Sequence, residues 1–121
     1  MKAYLWINAV LYPAFALFCT VRPGPASRAS GHLQLDASGR CEYLVVYGGL
    51  ELGLAVAYAW LAWHPALHRL GVDFSVVLYG AIVLYRAGSA VALWPVSGTT
   101  LAVGGLEAAL LAGALALRLS S

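Results

Sequence analysis

The segment Val72–Trp94 reads VDFSVVLYGAIVLYRAGSAVALW. A helix needs about 20 mostly apolar residues to cross a bilayer, and this stretch meets that length with an arginine, Arg86, well inside it. A charge near the middle of a membrane is costly, so it usually faces the protein interior, finds a partner and marks a site. That one stretch predicts a membrane-spanning helix and a place to look for chemistry.

Three further runs have the same character: Ala3–Val21, Cys41–Trp63 and Thr99–Leu117. Two of them also carry an internal charge, Glu51 and Glu107. The chain around them has 121 residues, of which 62% are hydrophobic and only 10% charged. A soluble domain carries about 25% charged residues, so this chain lacks the material for a water-facing surface. A formal charge of +2, with no basic stripe or acidic tail, argues against nucleic acid as a partner. The lipid bilayer is the partner that the composition demands. Lys2 followed by an apolar run resembles a signal peptide. The run exceeds the usual signal core, though, and Phe18 is too bulky for a lipoprotein cleavage site before Cys19, so it is read as the first span.

The expected fold is all-α: a single domain, residues 1–121, forming a four-helix transmembrane bundle with spans at 3–21, 41–63, 72–94 and 99–117. A polar loop over 22–40, rich in Pro, Gly, Ser and charge, separates the first two spans. The connections 64–71 and 95–98 are short, which predicts antiparallel neighbours and both termini on the same side. Tyr4, Trp6, Trp60 and Trp63 fall near the terminal side and Trp94 near the other, as interfacial aromatics do. Lys2, Arg69 and Arg118 on one side balance Arg22, Arg28 and Arg40 on the other, so the positive-inside rule gives no orientation.

Depth follows from a rise of about 1.5 Å per residue. Arg86 lies eight residues before Trp94 and Glu107 eight after Thr99, each roughly 12 Å below the loop side. Glu51 lies about 16 Å below it, counted from Arg40. Tyr12, Tyr47 and Tyr85 share that layer, and Asn8 is one turn deeper. At 100° per residue, Tyr43, Tyr47, Glu51 and Tyr58 share one face of the second span. Ser75, Tyr79, Arg86 and Ser89 share one of the third, and Thr100, Gly104, Glu107 and Arg118 one of the fourth. Pointing these stripes inward predicts Arg86 between two carboxylates, where an arginine can fork to one and bond the other. A carboxyl that changes protonation state in such a cluster suits acid–base chemistry or proton-coupled transport; an ion pair that only fixes helix register is the plainer reading. Glu51 and Glu107 are thus the candidate acid/base residues. Arg86, Tyr47, Tyr12, Tyr85, Asn8 and Glu42 are the candidate ligand contacts. Glu42 equally suits the first turn of a helix, where an acid complements the dipole.

Several weaker signals have plain readings. Gly49-Leu50-Glu51-Leu52-Gly53 is a G-x-x-x-G match, read as packing inside the bundle ahead of a homo-oligomer interface. Gly104-Gly105 with Ala108, Ala109 and Ala112 is read alike. Pro13 removes a donor for the Ala9 carbonyl and so predicts a kink in the first span. His64 and His68 have the spacing of metal ligands, but Pro65 intervenes and no carboxylate or Cys cluster lies nearby, so no metal is expected. His32 stands alone in the first loop. Cys19 and Cys41 bracket that loop, as two thiols or, on an oxidising side, a disulfide.

The stretch Gly39–Gly53, GRCEYLVVYGGLELG, resembles the domain of unknown function 4345 family of small bacterial membrane proteins. Glu42, Tyr47-Gly48-Gly49, Arg86 after Gly80, and Glu107 carry the likeness. It implies a chain of this length with four spans, in a bacterial inner membrane, and draws attention to the same polar residues. It implies no reaction and no cofactor. The functions left open are an intramembrane site that binds or transforms a small hydrophobic or amphipathic molecule, an accessory subunit of a membrane complex, and a small proton-coupled transporter. Against the last, four-helix exporters of this size use a glutamate in the first span, and none stands there.

Overall fold

The computed structural model describes residues 1–29 and 36–121. Helix α1 is Lys2–Val21, α2 is the short Pro23–Ala29, α3 is Ala37–Trp63, α4 is Pro65–Ala92 and α5 is Gly98–Leu119. All but α2 are long and apolar enough to cross a membrane. The result is a helical bundle whose outer surface carries large apolar side chains, among them Val10, Leu17, Val56, Val77, Leu84 and Val91. A surface of that kind suits lipid and not water.

Local chemistry sets the helix ends. The Asp36 carboxylate accepts from the Gly39 N–H at 2.7 Å and starts α3. The Ser97 hydroxyl accepts from the Thr100 N–H at 3.2 Å and starts α5. Both occupy an N-cap, where an unpaired backbone donor needs an acceptor. Pro65 ends α3 at His64, since a residue before proline is pushed out of the α region. It also opens the single 3₁₀ turn Pro65–Leu67 that leads into α4. The polar stretch expected as a loop over 22–40 differs from that expectation at both ends. Pro23 and Pro25 fall in the first turn of α2, where a missing N–H costs little, and Asp36 extends α3 back to Ala37. His32 lies outside the described residues. Pro13 is accommodated within α1, which runs as one helix through it.

α3 is not uniform. Val45–Leu50 is a π-helical stretch between the α-helical segments Ala37–Leu44 and Glu51–Trp63. π turns are wider than α turns and often accompany functional positions. This one shifts the phase of Glu51–Trp63 relative to Tyr43, which a count at a constant 100° per residue cannot register.

The helices associate as two pairs. α1 packs chiefly on α3 and α4 chiefly on α5, while α4 makes smaller contacts with α3 and α1. One core joins the pairs: Tyr4, Leu5 and Ala9 of α1, Tyr58, Leu61 and Ala62 of α3, Val72 of α4 and Ala114 of α5. Trp6 meets Trp63 edge-on beside it, with ring centroids 6.4 Å apart. A smaller cluster of Cys19, Ala26 and Tyr43 ties α1, α2 and the start of α3 together.

Close approaches fall at other glycines than the sequence pattern suggests. A Cβ at Gly71 would lie 2.8 Å from Leu5 Cδ2, and one at Gly48 3.0 Å from Thr20 Oγ1. Gly49 and Gly53, expected to pack inside the bundle, have nothing within 4 Å of where a Cβ would stand. The π stretch turns Gly48, not Gly49, toward α1.

Candidate functional site

Three polar groupings lie along the inner stripes. The first joins α4 to α5. Arg86 forks onto Glu107, its Nε donating to Oε2 and its Nη2 to Oε1, the latter at 2.7 Å. Both side chains are largely withdrawn from the surface, at 32% and 16% relative exposure. Gly104, one turn before Glu107, makes the geometry available: a Cβ there would lie 2.7 Å from Arg86 Cδ. A guanidinium has five N–H donors. Two are used here and three have no protein acceptor among the described residues. A second ion pair, Arg118 to Asp73, fastens the same two helices further along.

The second grouping ties α1 to α4. The Asn8 Nδ2 donates to the Tyr4 carbonyl at 2.9 Å. Only the amide nitrogen can do so, which leaves Oδ1 facing Tyr79. Tyr79 must therefore donate to Oδ1, and its oxygen accepts from the Tyr12 hydroxyl at 2.9 Å. The Tyr12 proton is committed by this chain, so toward any other group Tyr12 offers only lone pairs. The neighbouring tyrosines follow the same logic. Ser75 donates to the Gly71 carbonyl at 2.8 Å. Tyr58, stacked on Tyr12 with centroids 5.6 Å apart, is then the donor in its 2.8 Å bond to Ser75. Tyr4 donates to the Leu110 carbonyl at 2.8 Å and links α1 to α5. Among the described residues no buried side-chain nitrogen or oxygen lacks a partner.

The third grouping is Glu51 by itself. It is half-buried on the stripe of α3 that carries Tyr47, Ala55 and Tyr58. It makes no hydrogen bond or ion pair to any described residue, yet lies within electrostatic reach of Glu107 and Tyr12. Tyr47 in turn lies within reach of Arg86. Glu51, Tyr12 and Tyr47 on the α1/α3 pair are thus within electrostatic reach of Arg86 or Glu107 on the α4/α5 pair.

The expected arrangement of Arg86 between two carboxylates is corrected accordingly: Arg86 bonds Glu107 and makes no bond to Glu51. Tyr85, expected as a ligand contact, is 81% exposed and points away from the bundle. It stands one residue, or about 100°, from Arg86. Glu42 is exposed on the first turns of α3. Tyr4, expected in an outer aromatic belt, is buried in the core, whereas Trp60 and Trp63 are exposed. Tyr58, Ser75 and Tyr79 were absent from the expected site, although they lie on the same stripes as Glu51 and Arg86. Asp73 was missed because it sits at the edge of its apolar run and its partner is 45 residues away.

His64 and His68 bond backbone carbonyls of Trp60 and Ala62. No group of three or more His, Cys, Asp or Glu among the described residues is placed to hold a metal ion. Cys19 is buried and accepts a 3.6 Å bond from the Tyr43 hydroxyl; Cys41 is exposed, and the two are not bridged. No family model, curated protein or solved structure matches the chain.

Proposed function

We propose that the chain is a multi-pass membrane protein in which a crevice opens between the α1/α3 and α4/α5 pairs, at Glu51 and Arg86, and binds, or transforms, a small hydrophobic or amphipathic molecule. In this reading the four long helices alternate in direction and both termini share one side. The resemblance to the domain of unknown function 4345 family supports a bacterial inner membrane as its location.

The observation that carries the reading is the lone carboxyl of Glu51. It sits near the middle of a 27-residue helix, on an inner stripe, without a hydrogen-bond or ion-pair partner among the described residues. A charged residue at the centre of a membrane helix costs about 2.5–3.5 kcal/mol by insertion scales, and a purely structural site would pair it or lose it. Glu51 is therefore the acid/base candidate, free to exchange a proton with whatever enters the crevice. Glu107 is committed to Arg86 and serves to hold the guanidinium in place. Tyr12 contributes an acceptor, with Tyr79 and Asn8 fixing its direction, and Tyr47 flanks Arg86. Glu42 and Tyr85 stand outside this site.

Native mass spectrometry of the protein released from mild detergent tests the reading. A bound molecule should accompany the wild type and be lost from Glu51→Gln, while the variant stays folded. A wild type that carries nothing, or a Glu51→Gln variant that retains the same adduct, overturns it. A second reading, an accessory subunit whose charges only secure packing, is favoured by one observation: the fork from Arg86 to Glu107 is the geometry of a helix clamp.

A further inference from the structure

Between α4 and α5, on the side of Arg86 away from the core, lies a cleft of about 210 Å³. Val83, Arg86, Ala87 and Ala90 of α4 face Thr100, Leu101 and Gly104 of α5 across it. It exists because three of these positions are Ala or Gly. The two helices are drawn together at Arg86 and Gly104, and the small side chains beyond leave the volume unfilled. Ala87 and Leu101 are exposed, so the cleft opens sideways, toward the lipid of the proposed membrane.

We propose that this cleft seats the head of a neutral, carbonyl-bearing hydrophobic molecule that is dissolved in the bilayer, with its carbonyl oxygen accepting from the unused N–H groups of Arg86. The inference rests on the reading of Arg86 as a ligand contact and places that contact in the cleft, apart from the crevice at Glu51. Four observations select the class. Arg86 lines the cleft and keeps three N–H groups that no described residue accepts, so a ligand seated there presents an acceptor. The Arg86 charge is already neutralised by the Glu107 fork, so an anionic head would stay uncompensated and a cationic one would meet an arginine. Arg86 lies roughly 12 Å inside the level of Trp94, against a half-thickness of about 15 Å for the hydrocarbon. Phospholipid heads stay at the surface and do not reach that depth. At about 30 Å³ per water, the volume holds the equivalent of roughly seven waters, which suits one substituted ring or a short carbonyl segment and not a whole lipid. The remainder of such a molecule would extend through the side opening into the bilayer. A benzoquinone carrying an alkyl tail has these properties and is the probe.

The full-length protein in phosphatidylcholine vesicles is photolabelled with a decylbenzoquinone bearing a diazirine on its tail, alongside a decylbenzene of the same design. Adducts are mapped by mass spectrometry. The quinone probe should label residues 83–104 at least fivefold more than the decylbenzene does. Ala90→Trp, which fills the cleft, should cut that labelling at least tenfold. Ala87→Leu, a smaller change at an exposed position, should cut it severalfold and guards against a misfolded tryptophan variant. Equal labelling by the two probes, or labelling spread over Val77, Leu84 and Val91 and indifferent to both variants, overturns the inference. Glu51→Gln separates this inference from the crevice reading. Cleft labelling that survives Glu51→Gln but not Ala90→Trp supports the cleft, whatever the mass-spectrometric test shows of the crevice. Labelling confined to residues 47–55 sinks the cleft and keeps the crevice.

Discussion

Replacing Tyr79 with Phe removes one oxygen and cuts two hydrogen bonds, one from Tyr12 and one to Asn8. The two losses are unequal. Tyr12 is half-buried and its hydroxyl can turn toward the crevice. Asn8 is wholly buried, and its Nδ2 is already committed to the Tyr4 carbonyl, so its Oδ1 is stranded. A buried acceptor left bare costs about 1–3 kcal/mol, while bonds between membrane helices average about 0.6 and reach about 1.7 kcal/mol. The expected cost of Tyr79→Phe is therefore about 1–2 kcal/mol. Tyr58→Phe is the internal comparison. It removes a bond of similar length, but Ser75 keeps the Gly71 carbonyl as its acceptor and no oxygen is stranded, so the cost should stay below about 1 kcal/mol. Tyr85→Phe, at an exposed side chain, should fall within about 0.5 kcal/mol of wild type. Reversible unfolding in mixed detergent and dodecyl sulfate micelles, followed by far-ultraviolet circular dichroism, gives the ranking. Adding Asn8→Leu to Tyr79→Phe removes the stranded acceptor and should recover most of the loss, since deleting both partners is far milder than deleting one. If Tyr79→Phe proves as stable as Tyr85→Phe, or the double variant no better than Tyr79→Phe, the directed chain from Tyr12 to Asn8 is wrong.

Other outcomes follow from the close approaches and the charges. In the same unfolding assay, Gly71→Ala should destabilise because its Cβ meets Leu5 at 2.8 Å. Gly49→Ala, with open space around it, should gain up to about 1 kcal/mol from helix propensity; effects of the same sign would contradict the packing. Glu107→Gln strands the Arg86 charge and should cost up to about 3 kcal/mol, the lower end for a buried pair. Arg86→Met with Glu107→Leu should regain most of that, and a double variant less stable than the single would refute the clamp. Asp73→Asn, in a pair exposed at 38% and 44%, should cost less than about 1 kcal/mol. Without reductant, two thiols should titrate: Cys41 at once and Cys19 only on unfolding.

The helices themselves were legible because hydrophobic run length speaks directly to bilayer thickness. Thr99–Leu117 and the helix Gly98–Leu119 nearly coincide, because the Ser97 cap stands just two residues before the apolar run begins. The stretch 22–40 was less legible: its Pro, Gly and Ser content signals a loop, yet the same residue types start helices when they fall at an N-cap or first turn, as Asp36 does. Face assignments held for most residues. Ser75, Tyr79 and Arg86 turn inward, as do Tyr43, Glu51 and Tyr58 on either side of the π stretch, whereas Ser89 near the end of α4 is exposed. Gly49 and Gly53 stand opposite Tyr47, Glu51 and Tyr58 by the same count and are exposed, so the G-x-x-x-G pattern there is not a packing surface within the bundle. Tyr85 shows a different limit. Depth placed it correctly in the layer of Arg86, but depth alone does not say which way a side chain points, and a neighbour in sequence is about 100° away around the helix.

The partition of the three charges turns on a single missing carbon. Glu51 and Glu107 were equivalent by depth, so the sequence offered Arg86 two acceptors of nearly equal standing. What separates them is the room each helix leaves for a long, stiff-headed side chain. α5 presents Gly104 one turn before its glutamate, and the Arg86 stem lies where a Cβ would otherwise be. α3 presents Tyr47 one turn before Glu51, a bulky ring where α5 has a hydrogen. The arginine therefore closes against α5, and its charge is neutralised within the α4/α5 pair. Glu51 is left without an ion pair among the described residues. Gly104 admits Arg86 to α5, Ala87 and Ala90 of α4 are small as well, and together they leave the cleft open. Ion pair, unpaired carboxyl and cleft are thus consequences of one packing choice, and a change at Gly104 would be felt at all three.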